Sequence, residues 1–213
     1  MSVYSGEKCN MSNPFAVVKQ FEADLCEYTG APHAVTTTSC TMALLLACAY
    51  HKVGEVEIPK YTYVGVPQSI LNAGGTVKFS DEDWEGFYQL KPYPIVDSAR
   101  WISSGMYAGF AGRMVCLSFH WGKQLGIQQG GAILTDDAEA AAMLRRMRFD
   151  GRTEGVPPAR DEFVRGYHAY MSPEVAALGV MKLALLPKVN SALPKDPYPD
   201  LSKSAIFSGK TPA

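Results

Sequence analysis

The sequence predicts an α/β protein built on a mostly parallel sheet, and three observations point there. Strand-like and helix-like runs alternate along most of the chain. The strand-like runs are short and apolar or β-branched, as in residues 34–38, 76–80 and 114–119. The chain has 213 residues, 47% of them apolar and 19% charged, enough for one large domain, or one with a small appendage, around a real core.

Taken in order, residues 1–13 are polar and read as irregular. Residues 14–25 carry apolar side chains at helical spacing, with Asn13 as N-cap and Pro14 at the first helical position. Residues 28–32 read as a turn. A strand over 34–38 then runs through Ser39-Cys40-Thr41 into an apolar helix over 42–49. A short strand follows at 56–59, then a turn and helix ending at Gly74, then a strand at 76–80. The acidic triplet Asp81-Glu82-Asp83 leads into an aromatic and polar connector over 84–93. Residues 94–100 read as a buried strand with Asp97 near its C-terminal end. Strands at 114–119 and 132–135 precede a helix over 136–148, whose acids come first and bases last, as the helix dipole favours. Residues 149–165 are loop-like. Ser172-Pro173 opens a final apolar helix to about Leu186, and prolines, lysines and serines beyond Pro187 read as an extended tail.

The balance of charge gives a formal net of −1, which favours neither nucleic acid nor an anionic membrane as a partner. Five cysteines (Cys9, Cys26, Cys40, Cys48, Cys116) without a CxxC pair read as reduced thiols of a cytoplasmic protein. No secretory leader, no run long enough to span a bilayer and no metal-ligand spacing is visible.

Three places can carry chemistry. In Ser118-Phe119-His120-Trp121-Gly122-Lys123, a strand delivers one lysine into a loop beside aromatic rings, and Gly130-Gly131 opens the next strand. Partial desolvation disfavours the ammonium form and leaves a nucleophilic amine, the kind used for Schiff bases with carbonyls or pyridoxal phosphate. An exposed loop lysine explains the stretch as well. At Ser39-Cys40-Thr41, helix amides and hydroxyls can hold a phosphate, although a plain N-cap at Ser39 is the simpler reading. Asp97 ends a strand on the side where α/β sites form, or else pairs locally with Arg100.

Six segments in the same order resemble the DegT/DnrJ/StrS family of pyridoxal-phosphate-dependent sugar aminotransferases, members of the aspartate-aminotransferase fold group. They are the opening helix through Tyr28-Thr29-Gly30 and Ser39-Cys40-Thr41-Met42-Ala43-Leu44, similar to Ser-Gly-Thr-x-Ala-Leu. Then come Pro59 to Val64, similar to Pro-x-x-Thr-aromatic-Val, and Val96-Asp97-Ser98-Ala99-Arg100, similar to Glu-Asp-Ala-Ala-Gln. The last two are the Ser118 to Leu125 lysine motif with Gly130-Gly131, and Gly166-Tyr167-His168-Ala169-Tyr170-Met171-Ser172. The resemblance implies a three-layer α/β/α sandwich, the family's large domain over residues 1–190, with the small C-terminal domain largely missing and 191–213 as tail. It implies pyridoxal 5'-phosphate as cofactor and amino transfer from an amino acid such as glutamate to a keto-sugar nucleotide. It also implies a homodimer. Lys123 would form the Schiff base and move the proton, and Asp97 would pair with the pyridine nitrogen. Tyr63 would stack on the ring, Ser39, Cys40, Thr41 and Ser118 would bind the phosphate, and Arg100 would lie near the phenolic oxygen. His168 would reach a phosphate across the dimer.

The departures have weight of their own. Cys40 stands for a glycine, His168 for an asparagine and Arg100 for a glutamine, and only residues 84–93 fill the place of a strand and helix between Asp83 and Asp97. Decarboxylation, elimination or amino transfer on a non-sugar substrate with the same cofactor therefore stays open, as does a non-catalytic cofactor-binding relative.

Overall fold

The computed structural model describes Asn13 and residues 15–207. The irregular segment expected at 1–12, Pro14, Cys9 and the chain after 207 lie outside the described residues. In chain order the elements are α1 Ala16–Thr29, β1 His33–Thr37, α2 Cys40–Tyr50, β2 Glu55–Pro59, α3 Gly65–Asn72 and β3 Thr76–Ser80. They continue with β4 Tyr88–Leu90, β5 Ile95–Ser98, β6 Met114–Ser118, β7 Gly131–Thr135, α4 Ala138–Arg148 and α5 Pro173–Leu183.

Local chemistry explains most boundaries. The Ser39 hydroxyl accepts from Met42 N–H at 3.1 Å, and Asp137 accepts from Ala140 N–H at 2.9 Å, so α2 and α4 start where a cap can satisfy an orphan amide. Ser172 and Pro173 open α5 in the same way. Helix α1 departs from expectation. It begins at Ala16, because Asn13 spends its side chain on Phe15 N–H (2.9 Å) and its carbonyl on Ala16 N–H, closing a turn ahead of the helix. Its other end runs to Thr29, where Gly30, at φ 78°, turns its N–H back to Cys26.

The five-stranded sheet has the order β1-β7-β6-β5-β4, and β2-β3 form a parallel pair. One antiparallel bridge, Glu57 N–H to Lys91 O at 2.8 Å and Lys91 N–H to Glu57 O at 3.0 Å, joins the pair to the larger sheet. Alternation of strands and helices predicts a mostly parallel sheet, but this one is mixed. β5–β6 is parallel, whereas β1–β7, β6–β7 and β4–β5 are antiparallel. The connections decide it: β6 reaches β7 without a helix, and β4 reaches β5 through residues 91–94 alone, too short for a parallel crossover. Strand β4, inside the expected connector, exists through that pairing.

Both sheet faces are covered, giving three layers. Ile95, Met114, Cys116 and Ile133 join α2, α3 and α4 in one core. Val96, Val115, Leu117, Ala132 and Leu134 join α1 and α5 in the other. Period-two alternation along each strand sends neighbours to opposite cores. Each fully buried leucine, such as Leu44 or Leu46, contributes about 1.5–3 kcal/mol. The two sides are also tied by charge: Glu22 of α1 accepts from Thr36 N–H at 2.9 Å and from the Arg148 guanidinium of α4. Beyond α5 the chain is extended but docked. Leu193 N–H donates to Arg100 O (2.9 Å), Trp101 Nε1 to Asn190 O (2.8 Å), and Leu201 N–H to Lys60 O (3.0 Å), with the Leu201 side chain buried.

Candidate active site

A cavity of about 270 Å³ opens where β5 and β6 end and α2 begins. Ser39, Cys40, Thr41, Tyr63, Asp97, Arg100, Ser118 and Lys123 all line it, so eight of the nine residues singled out from sequence meet in one place. The ninth does not. His168 is exposed, its Nδ1 3.1 Å from Asp150 Oδ2, on the surface near the end of α4.

Asp97 lies next to the last residue of β5 and is buried, with 5% exposure. Its Oδ1 accepts from Ala99 N–H at 2.9 Å, and its Oδ2 accepts from the Tyr88 hydroxyl at 2.9 Å. Tyr88 faces it across the β4–β5 ladder and shares a 2.6 Å hydrogen bond with Thr62 Oγ1. Burial pushes the Asp97 carboxyl above its ordinary pKa, against the downward pull of Ala99 N–H, the Tyr88 hydroxyl and Lys123. Burial also holds the Tyr88 phenol well above its usual value, with the Asp97 charge adding to it, so Tyr88 is the donor of the pair. Among the described residues Asp97 has no ion-pair partner within contact distance.

Lys123 sits in the loop after β6, where Lys123 N–H donates to His120 O at 2.8 Å. Burial lowers its amine pKa, and the Arg100 cation lowers it further, while Asp196, Asp97 and Cys40 pull the other way. The result is an amine that loses its proton more readily than a lysine in water.

At the start of α2, the amides of Cys40 and Thr41 precede the helix ladder, and Met42 and Ala43 are already satisfied by Ser39. Two glycines make this end accessible. A Cβ on Gly131 would lie 2.5 Å from Cys40 N, so only glycine lets β7 run against the helix start. A Cβ on Gly65 would lie 2.8 Å from Thr41 Oγ1 and 2.7 Å from the Tyr63 ring, which stands at the mouth, 56% exposed. Cys40 is buried, and burial, with Asp97 next, holds its thiol well above the usual range, so it contributes bulk and no charge.

Sequence reasoning missed Thr62, Trp84, Tyr88, Asp196 and Tyr198. Trp84 packs on Tyr88, with ring centroids 4.8 Å apart, and stacks with Tyr198 at 6.4 Å. Asp196 Oδ2 lies 2.6 Å from Arg100 Nη1. The aromatic Phe87-Tyr88 before an apolar Leu90 was a strand signal for Tyr88, but no local pattern announces residues that arrive from the chain's far end. Among the described residues no group of three or more His, Cys, Asp or Glu could hold a metal ion, and no helix is long and apolar enough to cross a membrane.

Known proteins resemble this chain in sequence and in fold. The model of the DegT/DnrJ/EryC1/StrS aminotransferase family matches residues 7–97 and 95–193. The chain is 25% identical over 181 residues to the spore coat polysaccharide biosynthesis protein SpsC of Bacillus subtilis (strain 168), covering 64% of this chain and 46% of that protein. It is also 25% identical over 213 residues to the UDP-4-amino-4,6-dideoxy-N-acetyl-beta-L-altrosamine transaminase of Campylobacter jejuni, covering 79% of this chain and 57% of the relative. Among solved structures, the sugar aminotransferase CalS13 from Micromonospora echinospora aligns with a TM-score of 0.66 at 19% identity, over 80% of this chain and 61% of its own. DesI, crystallised with its TDP-sugar product, aligns with a TM-score of 0.62 at 25% identity, over 84% of this chain and 54% of its own. The chain thus spans about half the length of the curated relatives it matches.

Proposed function

We propose, for a chain that belongs to the DegT/DnrJ/EryC1/StrS aminotransferase family, that this cavity holds pyridoxal 5'-phosphate and serves amino transfer from an amino acid to a keto-sugar nucleotide. The observation that carries the reading is the meeting of Lys123, Asp97 and the open start of α2 in one cavity.

The donor set fits the group. Asp97 is a buried carboxylate with no cation in contact among the described residues, and a proton on a pyridine nitrogen is the counter-charge such a carboxylate calls for. The Cys40 and Thr41 amides, with the hydroxyls of Ser39, Thr41 and Ser118, suit a phosphate at a helix start. Cys40 in place of glycine adds a side chain there, but that side chain is turned to within 4.0 Å of Asp97 Oδ1. When bound, the cofactor supplies an electron sink and a carrier for the amino group.

The chain's own residues do the rest. Lys123, with its lowered pKa, is the covalent anchor and the base that moves a proton at the substrate carbon. Asp97 keeps the ring nitrogen protonated, and Tyr88 and Ala99 hold Asp97 in position. Tyr63 and Trp84 wall the cavity with rings. The sugar-nucleotide acceptor is proposed from the relatives: the Campylobacter protein is a transaminase of a UDP-linked amino sugar, and DesI was crystallised with a TDP-sugar product.

Borohydride reduction of the purified chain with added cofactor, followed by peptide mass spectrometry, tests the reading. A stable adduct on Lys123, absent in Lys123→Ala, is the expected result. A chain that neither absorbs in the visible nor acquires the adduct would overturn it.

A further inference from the structure

Residues 187–203 cross the mouth of the cavity, and the crossing is pinned differently at its ends and its middle. The ends are tied by main chain, Leu193 N–H to Arg100 O at 2.9 Å and Leu201 N–H to Lys60 O at 3.0 Å. Between them the ties are side chains: Asp196 to Arg100, Lys195 to Asp83, and the Tyr198 ring on Trp84.

Arg100 and Asp196 are unequal partners. The guanidinium side chain is 8% exposed and the carboxylate 58% exposed. Asp196 approaches Nη1 through one oxygen, Oδ2, at 2.6 Å, and the Tyr198 hydroxyl donates to that same oxygen at 3.2 Å. Arg100 Nε reaches Leu193 O at 3.4 Å, and Nη2 makes no hydrogen bond among the described residues. An arginine fork offers parallel N–H groups that a free carboxylate takes together, in a stronger arrangement than one oxygen on one nitrogen. The same cation faces Lys123 across the cavity closely enough to depress its amine. An enclosed cation beside a reactive amine, covered by a single exposed carboxylate on a segment without regular structure, is built for a carboxylate that comes and goes.

We propose that Arg100 is the carboxylate-binding residue of this cavity, and that Asp196 occupies its place until a substrate carboxylate displaces it and lifts residues 194–200. This rests on the function proposed above and narrows it: the amino donor binds through its carboxylate to Arg100. It also gives Arg100 a different task from the one that the family resemblance implies, near the cofactor's phenolic oxygen.

The test is hydrogen exchange with mass spectrometry on the 213-residue chain as purified, titrated with glutarate, a dicarboxylate with no amine to donate. Pro194, Pro197 and Pro199 carry no amide, so the readout is the Tyr198 amide, bonded to Asp196 O at 2.8 Å: its exchange is expected to accelerate to a plateau as glutarate saturates, while the amides of Leu193 and Leu201 stay protected. Asp196→Asn is expected to tighten glutarate binding about two- to fivefold, the factor set by an ion pair with one partner mostly in water. Arg100→Gln is expected to lose saturable binding. Exchange that ignores glutarate, binding that survives in Arg100→Gln, no tightening in Asp196→Asn, or an equal response to inorganic phosphate would each overturn the proposal. Glutarate cannot react and the measurement needs no cofactor, so its failure is separate from failure to form the Lys123 adduct.

Discussion

The pair Tyr88–Asp97 offers the sharpest perturbation. Both side chains are buried, at 3% and 5% exposure, and the hydroxyl donates to Oδ2 at 2.9 Å. A hydrogen bond to a charged group contributes about 1.5–3 kcal/mol. Tyr88→Phe also removes the partner of Thr62 Oγ1 at 2.6 Å, a neutral contact worth about 1 kcal/mol. The single variant should therefore lose about 2.5–4 kcal/mol of stability in urea unfolding, with the slope unchanged. Because other contacts are lost as well, the cycle with Asp97→Ala isolates the pair, and its coupling energy should be about 1.5–3 kcal/mol. The hydroxyl lowers the Asp97 pKa, so the carboxyl resonance of Asp97 in Tyr88→Phe should titrate at higher pH than in the parent. A coupling below about 0.5 kcal/mol, the ordinary error of additivity, would refute the view that Tyr88 positions Asp97.

Two further outcomes are expected. Burial raises the Asp97 pKa in the folded chain, so its favourable contribution is complete below the unfolded pKa and is lost as pH rises through the folded one. Asp97→Asn cannot ionise, and its stability relative to the parent should rise across that window in urea unfolding at stepped pH. A constant difference would contradict the assignment. Glu22→Ala should cost about 3–5 kcal/mol, since it leaves the Arg148 guanidinium, 5% exposed, without its carboxylate. Replacing Glu22 and Arg148 together by methionine should restore much of that loss, and a loss below about 1 kcal/mol in Glu22→Ala would show that the network is slack.

The parts of the fold legible in the sequence are those decided within a few residues. Ser39, Asp137 and Ser172 each bond an amide three positions on, so α2, α4 and α5 could be placed from local chemistry. Lys123, Asp97 and the Ser39 turn could be singled out because strand ends and helix starts are readable, and the family resemblance tied them together. Strand direction was not readable, because it depends on how far the chain travels between strands and what covers it on the way. Asp196 and Tyr198 were not readable either. Their contacts span 96 and 98 positions to Arg100, and a proline-rich stretch carries no signal of what it lies against. Reading residues beyond 187 as an extended tail describes the backbone but misses the surface that it covers.

The β4–β5 turn connects these observations. Residues 91–94 are all that joins the two strands, and so short a link allows only antiparallel pairing. Antiparallel pairing puts Tyr88, the first residue of β4, opposite Asp97 near the end of β5. A parallel strand in that place would put its C-terminal end there instead. The same turn carries Lys91, whose main chain bridges to Glu57 and keeps β2–β3 attached to the sheet. Trp84, just ahead of β4, then packs on Tyr88 and gives Tyr198 a ring to stack on. One short turn thus sets the hydroxyl behind the buried carboxylate, holds the outer strands, and supplies the platform on which the crossing segment rests. Lengthening that turn should disturb Asp97 and the cover of Arg100 together, because both lean on Tyr88 and Trp84 being where an antiparallel β4 leaves them.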